Sequence, residues 1–173
     1  MKISRYDASV KEVNRILRGE QRIYRIPRYQ RGYAWKRAQV DTLWTDTMQN
    51  ENTGMFIGTI LLNCGEDDEE DRIHVIDGQQ RLLTISIMLA AIRDALHEND
   101  DQLNASKIHR AHIETDLWTG KEGVLNIIPG GKLELFFKRK IQTYPIISDP
   151  PKPITEEEKN VASAYKYTRK EIS

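Results

Sequence analysis

The feature that most constrains the fold is a short apolar run that ends abruptly in polar residues. Residues 73–76 are mainly apolar, and Asp77-Gly78-Gln79-Gln80-Arg81 follows directly. Apolar residues then recur at steps of three and four: Leu82, Ile85, Leu89, Ile92 and Leu96. This pattern predicts a strand, a glycine turn and an amphipathic helix. Such a turn points backbone N–H groups and the positive end of a helix at one spot, which suits a phosphate.

A simpler interpretation of the same turn is structural. Asp77 would cap the helix, Gly78 would make the turn, and Gln79 and Gln80 would lie on the surface. That interpretation explains Asp77 and Gly78, but it does not explain why Gln79, Gln80 and Arg81 follow them. An acid, two amides and a guanidinium in one turn therefore favour a functional site.

A second stretch, residues 26–35, has a composition that also suggests chemistry. Pro27 and Gly32 keep it out of regular structure. Its arginine, glutamine and aromatic side chains are Arg28, Tyr29, Gln30, Arg31, Tyr33 and Trp35. Arginines interleaved with aromatic residues are typical of surfaces that hold phosphates and stack on bases. The alternative is a loop whose rings pack on the core while its arginines are solvated, and composition does not decide between the two.

The composition indicates one soluble domain of the cytoplasm. The chain has 173 residues, 39% hydrophobic and 30% charged, which is enough for a real core. It contains no apolar run long enough to cross a bilayer, and its first residues lack the apolar centre of a secretion signal. The single cysteine, Cys64, excludes a disulfide framework and a thiolate metal cluster.

The formal net charge is +0, but the N-terminal part is basic, because Lys and Arg far outnumber Asp and Glu up to Arg37. An excess of positive charge there favours an anionic partner such as nucleic acid or nucleotide. A pI near 6.9 for the whole chain nevertheless indicates that any DNA contact is local.

Periodicity and turn residues predict the remaining elements. Helices are expected at about 9–17 and 36–50, and a last helix is expected to open with a capping box at Thr155 to Glu158. Strands are expected at 21–26, 55–62 and 72–76, with a hairpin of 124–128 and 132–137 around Pro129-Gly130-Gly131. Residues 98–104 and the proline-rich 144–153 are predicted to be loops. His109, His112 and Glu114 form at most a weak metal-site pattern, because the zinc-protease spacing is absent.

Three stretches in order carry a resemblance to a known family. They are Ile26-Pro27-Arg28-Tyr29-Gln30-Arg31-Gly32-Tyr33-Ala34-Trp35, Phe56-Ile57-Gly58-Thr59-Ile60 and Ile76-Asp77-Gly78-Gln79-Gln80-Arg81. Together they resemble the N-terminal domain of GmrSD-type restriction proteins, modification-dependent enzymes of bacterial phage defence. The likeness covers about residues 21–89, and the rest of the chain carries no motif that matches.

The resemblance implies an α+β fold, similar to the ParB and sulfiredoxin nucleotide-binding fold, with a compact mixed sheet packed against several helices. The prolines of 144–153, and a last helix without a stop signal, separately favour a domain over residues 1–145, with 146–173 as a linker and the start of a following helical region in a truncated chain. The resemblance also implies that the Asp-Gly-Gln-Gln-Arg block binds and hydrolyses a nucleoside triphosphate. That hydrolysis would regulate a His-Asn-His (HNH) nuclease domain or subunit, whose signature this sequence lacks.

On that basis we assign roles to the residues of the turn. The expected catalytic residues are Asp77, Gln79, Gln80 and Arg81. The expected cofactor-binding residues are Gly78, Arg28 and Arg31, with both arginines on the phosphates. Asp77 would hold Mg²⁺ or orient the attacking water, and a glutamine amide could only align that water or contact the nucleotide, because it is no base near neutral pH. The P-loop pattern is missing, and the choice among GTP, ATP and CTP stays open.

DNA contact is assigned to Arg28, Tyr29, Gln30, Arg31, Tyr33 and Trp35. The resemblance implies modified DNA as the partner, carrying either sugar-decorated cytosines or a sulfur-substituted backbone. Neither the mark nor self-association is determined by the sequence. The competing interpretation is a non-catalytic, ParB-like regulator module that binds nucleotide or DNA without hydrolysis.

Overall fold

The computed structural model describes residues 7–18, 23–63, 72–115 and 123–173. Its helices are α1 (Val13–Leu17), α2 (Arg37–Gln49), α3 (Gln79–Glu98), α4 (Gln102–Ile108), α5 (Leu133–Phe137) and α6 (Glu156–Ile172). Its strands are β1 (Ile23–Arg25), β2 (Leu61–Asn63), β3 (Arg72–Asp77), β4 (Glu114–Thr115), β5 (Val124–Leu125) and β6 (Ile127–Ile128). Helices α4 and α5 each continue into a π-helical turn, His109–Ile113 and Lys138–Gln142. The predicted α+β class is confirmed.

The main sheet has four strands in the order β2-β3-β1-β6. Strand β1 lies parallel to both β3 and β6, with Tyr24 opposite Ile73 and Ile127. Strand β2 is antiparallel to β3, and β4 and β5 form a separate antiparallel pair. Because three neighbouring strands run in the same direction, the loops that follow them emerge at the same edge of the sheet.

Helix α3 is the centre of the core. Its residues Leu82, Ala90 and Ile87 are fully buried, as are Tyr33 and Val75 around it. The buried residues of α3 are spread around the helix rather than along one stripe, because α4, α6 and both π-helical turns pack against it. The predicted stripe is only half-buried beyond Leu82, at Ile85, Leu89, Ile92 and Leu96. None of the helices in the described ranges is long and apolar enough to cross a membrane.

Helix α6 belongs to this same core. Its buried residues Val161, Ala164 and Tyr167 are members of the hydrophobic cluster around α3. The predicted capping box is confirmed: the Thr155 side chain accepts from the Glu158 N–H, and the Glu158 carboxylate accepts from the Thr155 N–H. The helix buries its apolar stripe on α3, and the domain boundary expected at residue 145 stays a prediction.

Several predicted elements agree with the structure and others do not. Helices α2 and α3 and the loop at 144–153 are confirmed, and β3 extends one residue further than expected, to Asp77. Helix α1 is shorter than predicted, beginning at Val13. The turn of the β2–β3 hairpin, with its acidic residues, and residues 21–22 of the first predicted strand lie outside the described residues.

Three predictions of secondary structure are wrong. The strand predicted at 55–62 is observed only at 61–63, because Gly58 has φ of 101°, which breaks an extended chain. Residues 133–137 form a helix that buries Leu133, Phe136 and Phe137, not the second arm of a hairpin. The predicted loop at 98–104 contains the start of α4, which Asp101 caps by accepting from the Asn104 N–H.

Candidate functional site at the carboxyl edge of the sheet

The turn between β3 and α3 requires glycine for two reasons. Gly78 has φ of 90°, a left-handed conformation that side chains oppose. A Cβ placed on it would lie 2.9 Å from Ile60 Cγ1 and 3.2 Å from the Thr59 carbonyl oxygen. Among the described residues, no side chain caps the helix that begins at Gln79. The first N–H groups of a 20-residue helix are therefore left to face the sheet edge.

Asp77 does not cap that helix, so the simpler interpretation of the turn is wrong on this point. It is the last residue of β3, it is exposed, and it lies opposite Leu61 of β2. Gly78 occupies the capping position instead. The Asp77 carboxylate accordingly lies at the edge of the sheet, next to the start of α3, where it is open to solvent and to ligands.

Gln80 holds residues 26–35, the arginine-containing loop, onto the start of α3. Its Oε1 accepts from the backbone N–H groups of Ala34, at 2.8 Å, and Trp35, at 3.3 Å. Its Nε2 donates to the Gly32 carbonyl oxygen at 3.0 Å. The residue is 6% exposed. The predicted role of Gln80 in aligning water or contacting a nucleotide is therefore not supported by its contacts, because both ends of its amide already bind backbone.

Gln30 makes a second connection between the same two segments. Its Nε2 donates to the carbonyl oxygen of Ile76 at 2.7 Å, one residue before Asp77. Its Oε1 is buried and has no partner among the described residues. Gln30 is thus turned toward the sheet edge, where it supports the loop, and is half-buried rather than displayed to DNA.

Arg81 lies on the opposite side of the turn. Its Nη1 donates to the Thr59 carbonyl oxygen at 3.3 Å, and its guanidinium carbon is 2.8 Å from where a Cβ on Gly58 would be. The glycine therefore leaves the space that the guanidinium occupies, as the irregular segment 54–60 crosses the edge of the sheet. The half-buried guanidinium has further donors that this single contact does not use.

The predicted DNA-binding residues divide into two groups. Arg28, Tyr29 and Arg31 are exposed, Tyr29 by 80%. Tyr33 is fully buried and its hydroxyl is hydrogen-bonded to Thr84 Oγ1 at 2.8 Å, and burial raises its pKa to about 12. Its predicted contact with DNA is wrong, because its ring is part of the core. Trp35 is half-buried against that core.

Beside Arg81 an open groove of about 280 Å³ runs along α2. Its lining residues are Trp35, Gln39, Thr42, Leu43, Asp46, Met55, Phe56, Ile57 and Arg81. The groove thus joins the two motifs of the sequence through one side chain from each, Trp35 and Arg81.

No group of three or more potential metal-binding side chains occurs within the described ranges. The weak pattern of His109, His112 and Glu114 does not make a metal site. His109 Nδ1 lies 3.3 Å from Arg93 Nη1, and His109 Nε2 lies 3.3 Å from Glu114 Oε2, so protein groups occupy both ring nitrogens. At the β3–α3 turn itself, Asp77 supplies a carboxylate.

Comparison with protein families gives a match over nearly the whole described core. The model of the GmrSD restriction endonuclease N-terminal domain matches residues 13–172. The chain belongs to this family. A search among curated proteins finds no match. Membership in the GmrSD N-terminal family makes the chain a domain of a restriction system, and the match extends through α6, which the motifs of the sequence did not reach.

In this GmrSD N-terminal domain, α6 also supports the arginine-containing loop. Lys36 Nζ pairs with Glu156 and donates to Asn160 Oδ1 at 2.9 Å, while Asn160 Nδ2 donates to the Tyr33 carbonyl oxygen at 3.2 Å. The Glu157 carboxylate lies against Gly32, where a Cβ would be about 2.0 Å from its carbon. The loop is therefore held between α3 and α6.

The sequence did not point to Asn160, Lys36 or Asp46 as parts of this edge. The first two act through contacts more than 120 residues apart, which no local pattern encodes. A signal existed for α2 alone: Gln39, Thr42 and Asp46 recur at helical spacing beside Leu43, so one face carries polar groups next to apolar ones.

Proposed function

We propose that this domain binds a nucleoside triphosphate with Mg²⁺ at the β3–α3 turn, hydrolyses it, and so regulates a nuclease domain or subunit. In this proposal it is the DNA-sensing unit of a type IV, modified-DNA-dependent restriction system in phage defence. The observation that carries the proposal is the uncapped start of α3, to which Gln80 fastens the arginine-containing loop.

The phosphates would bind where positive groups converge. The N–H groups at the start of α3 supply partial positive charge, and Gly78 allows the backbone to approach closely. Arg81 reaches the turn from one side, and the exposed Arg28 and Arg31 belong to the loop on the other. Guanidinium groups make paired contacts to phosphate oxygens, which neutralises the charge that phosphoryl transfer develops.

Asp77 would serve the reaction through its exposed carboxylate. Mg²⁺ is usually held by one or two carboxylates together with substrate phosphates, so the exposed Asp77 carboxylate would supply one of its ligands. When bound, the metal ion supplies charge neutralisation on the phosphate oxygens. Gln79, which is half-buried at the first position of α3, would orient the attacking water with its amide.

DNA would contact the exposed part of the arginine-containing loop, Arg28, Tyr29 and Arg31. These side chains offer two guanidinium groups for backbone phosphates and one ring for stacking. Gln30 and Gln80 connect this loop to the β3–α3 turn. Binding of DNA to the loop would therefore change the affinity of the turn for nucleotide, and binding of nucleotide would change the affinity for DNA. Affinity for DNA should fall steeply with salt if phosphates are contacted.

One observation favours binding without hydrolysis as a second candidate function. Gln80 has no free amide atom, because its Oε1 and Nε2 already bind backbone groups of the loop. The domain would then act as a ParB-like regulator module that responds to nucleotide occupancy alone.

Phosphate release from GTP, ATP, CTP and UTP with Mg²⁺, measured with and without DNA, separates these candidates. We expect Asp77→Ala to abolish turnover while leaving the circular-dichroism melt nearly unchanged, because its side chain is exposed. The matched control is Asp149→Ala, an exposed acid in the loop before α6, which should keep turnover. Full activity in Asp77→Ala rejects the assigned role, whereas nucleotide binding without any release favours the module.

A further inference from the structure

We infer that the groove along α2 is a base subsite that selects guanine, with Asp46 reading the base. This inference rests on the proposed function, because it places the base of the same nucleotide whose phosphates lie at the turn. It assigns to α2 a role that the turn and the arginine-containing loop do not explain.

The position of the groove relates it to the phosphate site. Arg81 is in the first turn of α3 and also lines the groove. Trp35 lines it too, and its N–H donates to Gln80 at the end of the arginine-containing loop. A ligand whose phosphates bind at the start of α3 would therefore place its base in this groove. At about 280 Å³ the groove is just below the roughly 300 Å³ at which pockets for complete small ligands begin, so it suits one part of a ligand.

The lining of the groove is suited to a flat heterocycle. Leu43, Met55 and Ile57 give it an apolar floor, and Trp35 and Phe56 contribute rings. Phe56 is 78% exposed, an unfavourable setting for a large apolar side chain unless something covers it. Stacking of a bound base on such a ring would stabilise it whichever base it is.

The polar side of the groove is what distinguishes one base from another. Asp46 is half-buried, and none of the described residues donates to its carboxylate; only its backbone carbonyl accepts, from Asn50. An ionised carboxylate offers two adjacent acceptors and no donor. Guanine presents two adjacent donors, the ring N1–H and the exocyclic amine. Adenine and cytosine place a ring-nitrogen acceptor next to their amine, and uracil places carbonyl oxygens next to its N3–H, so each would set an acceptor lone pair against a carboxylate oxygen.

Gln39 also lines this side of the groove. Its Oε1 accepts from the Lys36 N–H at 2.9 Å, which directs its amide toward the start of α2. Because Gln39 lies two helical turns, roughly 10 Å, before Asp46, it flanks the base and leaves Asp46 to read the pair of donors.

The test is calorimetric titration of the chain with GTP, ATP, CTP and UTP in Mg²⁺, and with guanosine, which has no phosphate. We expect GTP to bind at least tenfold more tightly than the other triphosphates. In Asp46→Asn the affinity for GTP should fall about ten- to hundredfold, while the affinity for ATP stays unchanged, because charged hydrogen bonds to the base are lost. The control is Glu51→Gln, an exposed acid just beyond α2, which should leave every affinity unchanged.

The outcomes separate this inference from the proposed function. If the four triphosphates bind equally and Asp46→Asn changes nothing, the base subsite is rejected while nucleotide binding stands. If no triphosphate binds but guanosine binds and depends on Asp46, the subsite stands and the proposed nucleotide function falls. If neither binds, or if only a guanine-containing single-stranded oligonucleotide binds through Asp46, the groove does not serve a nucleotide and the inference is overturned.

Discussion

At the scale of single residues, two adjacent glutamines have opposite surroundings. Gln79 is half-buried at the start of α3, whereas Gln80 points inward and satisfies three backbone groups of the loop. Helical geometry causes the difference, since consecutive residues of a helix face directions about 100° apart. The sequence indicated both glutamines as candidates for chemistry. Since the two side chains are identical, their type alone could not predict which one would be hydrogen-bonded to the loop.

This difference predicts unequal effects on stability. Gln80→Ala removes three hydrogen bonds and leaves the N–H of Ala34 and the carbonyl of Gly32 without partners, so we expect a loss of about 2–4 kcal/mol. Gln79→Ala should change the free energy of unfolding by less than about 0.5 kcal/mol. Urea unfolding of both variants measures this, and equal losses would show that Gln80 does not fasten the loop.

A second prediction at this scale concerns glycine. Gly78→Ala combines a positive φ with a Cβ only 2.9 Å from Ile60 Cγ1, so we expect a loss of about 2–5 kcal/mol. Gly54 is the matched control: its φ is 71°, but nothing lies within 4 Å of its Cβ position. Gly54→Ala should therefore cost only the conformational part, about 1–2 kcal/mol. Similar losses at the two positions would mean that the close approach of segment 54–60 to Gly78 adds nothing to the cost of the substitution.

At the scale of elements, sequence patterns predicted the features that depend only on residues close together in the chain. The capping box at Thr155 depends on neighbours within a few residues, and it was found as expected. The predicted apolar stripe of α3 was not, because Ile85, Leu89 and Ile92 are only half-buried and the buried residues lie on the other sides of the helix. Residues 133–137 were misassigned because Pro129-Gly130-Gly131 suits a hairpin, while the spacing of Leu133, Phe136 and Phe137 suits a helix. Burial against the core decided between the two, and burial is a tertiary property that a short apolar segment does not reveal.

The correct assignment of α5 has a measurable consequence. A strand would place Leu133 and Leu135 on one face, whereas the helix buries Leu133 to 1% exposure and leaves Leu135 66% exposed. We expect Leu133→Ala to lower the free energy of unfolding by about 2–5 kcal/mol. Leu135→Ala should lower it by less than about 0.5 kcal/mol. Comparable losses in the two variants, measured by chemical denaturation, would favour the strand.

At the scale of the whole molecule, a buried charged network joins the elements at the far end of α3 from the candidate site. Arg93 is 1% exposed and donates to Asp94 Oδ1 at 2.7 Å and to the Ile141 carbonyl oxygen at 3.1 Å. The Tyr165 hydroxyl donates to Asp94 Oδ2 at 2.6 Å. The network therefore connects α3 with α6 and with both π-helical turns. Paired partners are what permit charges at such depth, because an unpaired one would be strongly destabilising.

The network makes stability dependent on pH through His109. Burial, and then the Arg93 guanidinium, lower the pKa of His109, although Glu114 and Asp94 oppose that shift. Arg93 can donate only to a neutral ring, so Nδ1 is the acceptor and Nε2–H donates to Glu114. Burial and Arg18 likewise lower the pKa of His112. Both rings thus prefer to be neutral in the folded chain.

The sign of the effect follows from proton uptake. Between the lowered pKa of the folded chain and the unfolded value of about 6.5, the unfolded state binds more protons, so stability rises with pH. We expect the free energy of unfolding to be constant above about pH 7 and to decrease as the pH falls from there toward 5.5. Urea unfolding at several values in this range measures the slope, and His109→Gln with His112→Gln should flatten it. An equal slope in the double variant would assign the pH dependence to other groups, since glutamine at both positions removes the rings that take up the protons.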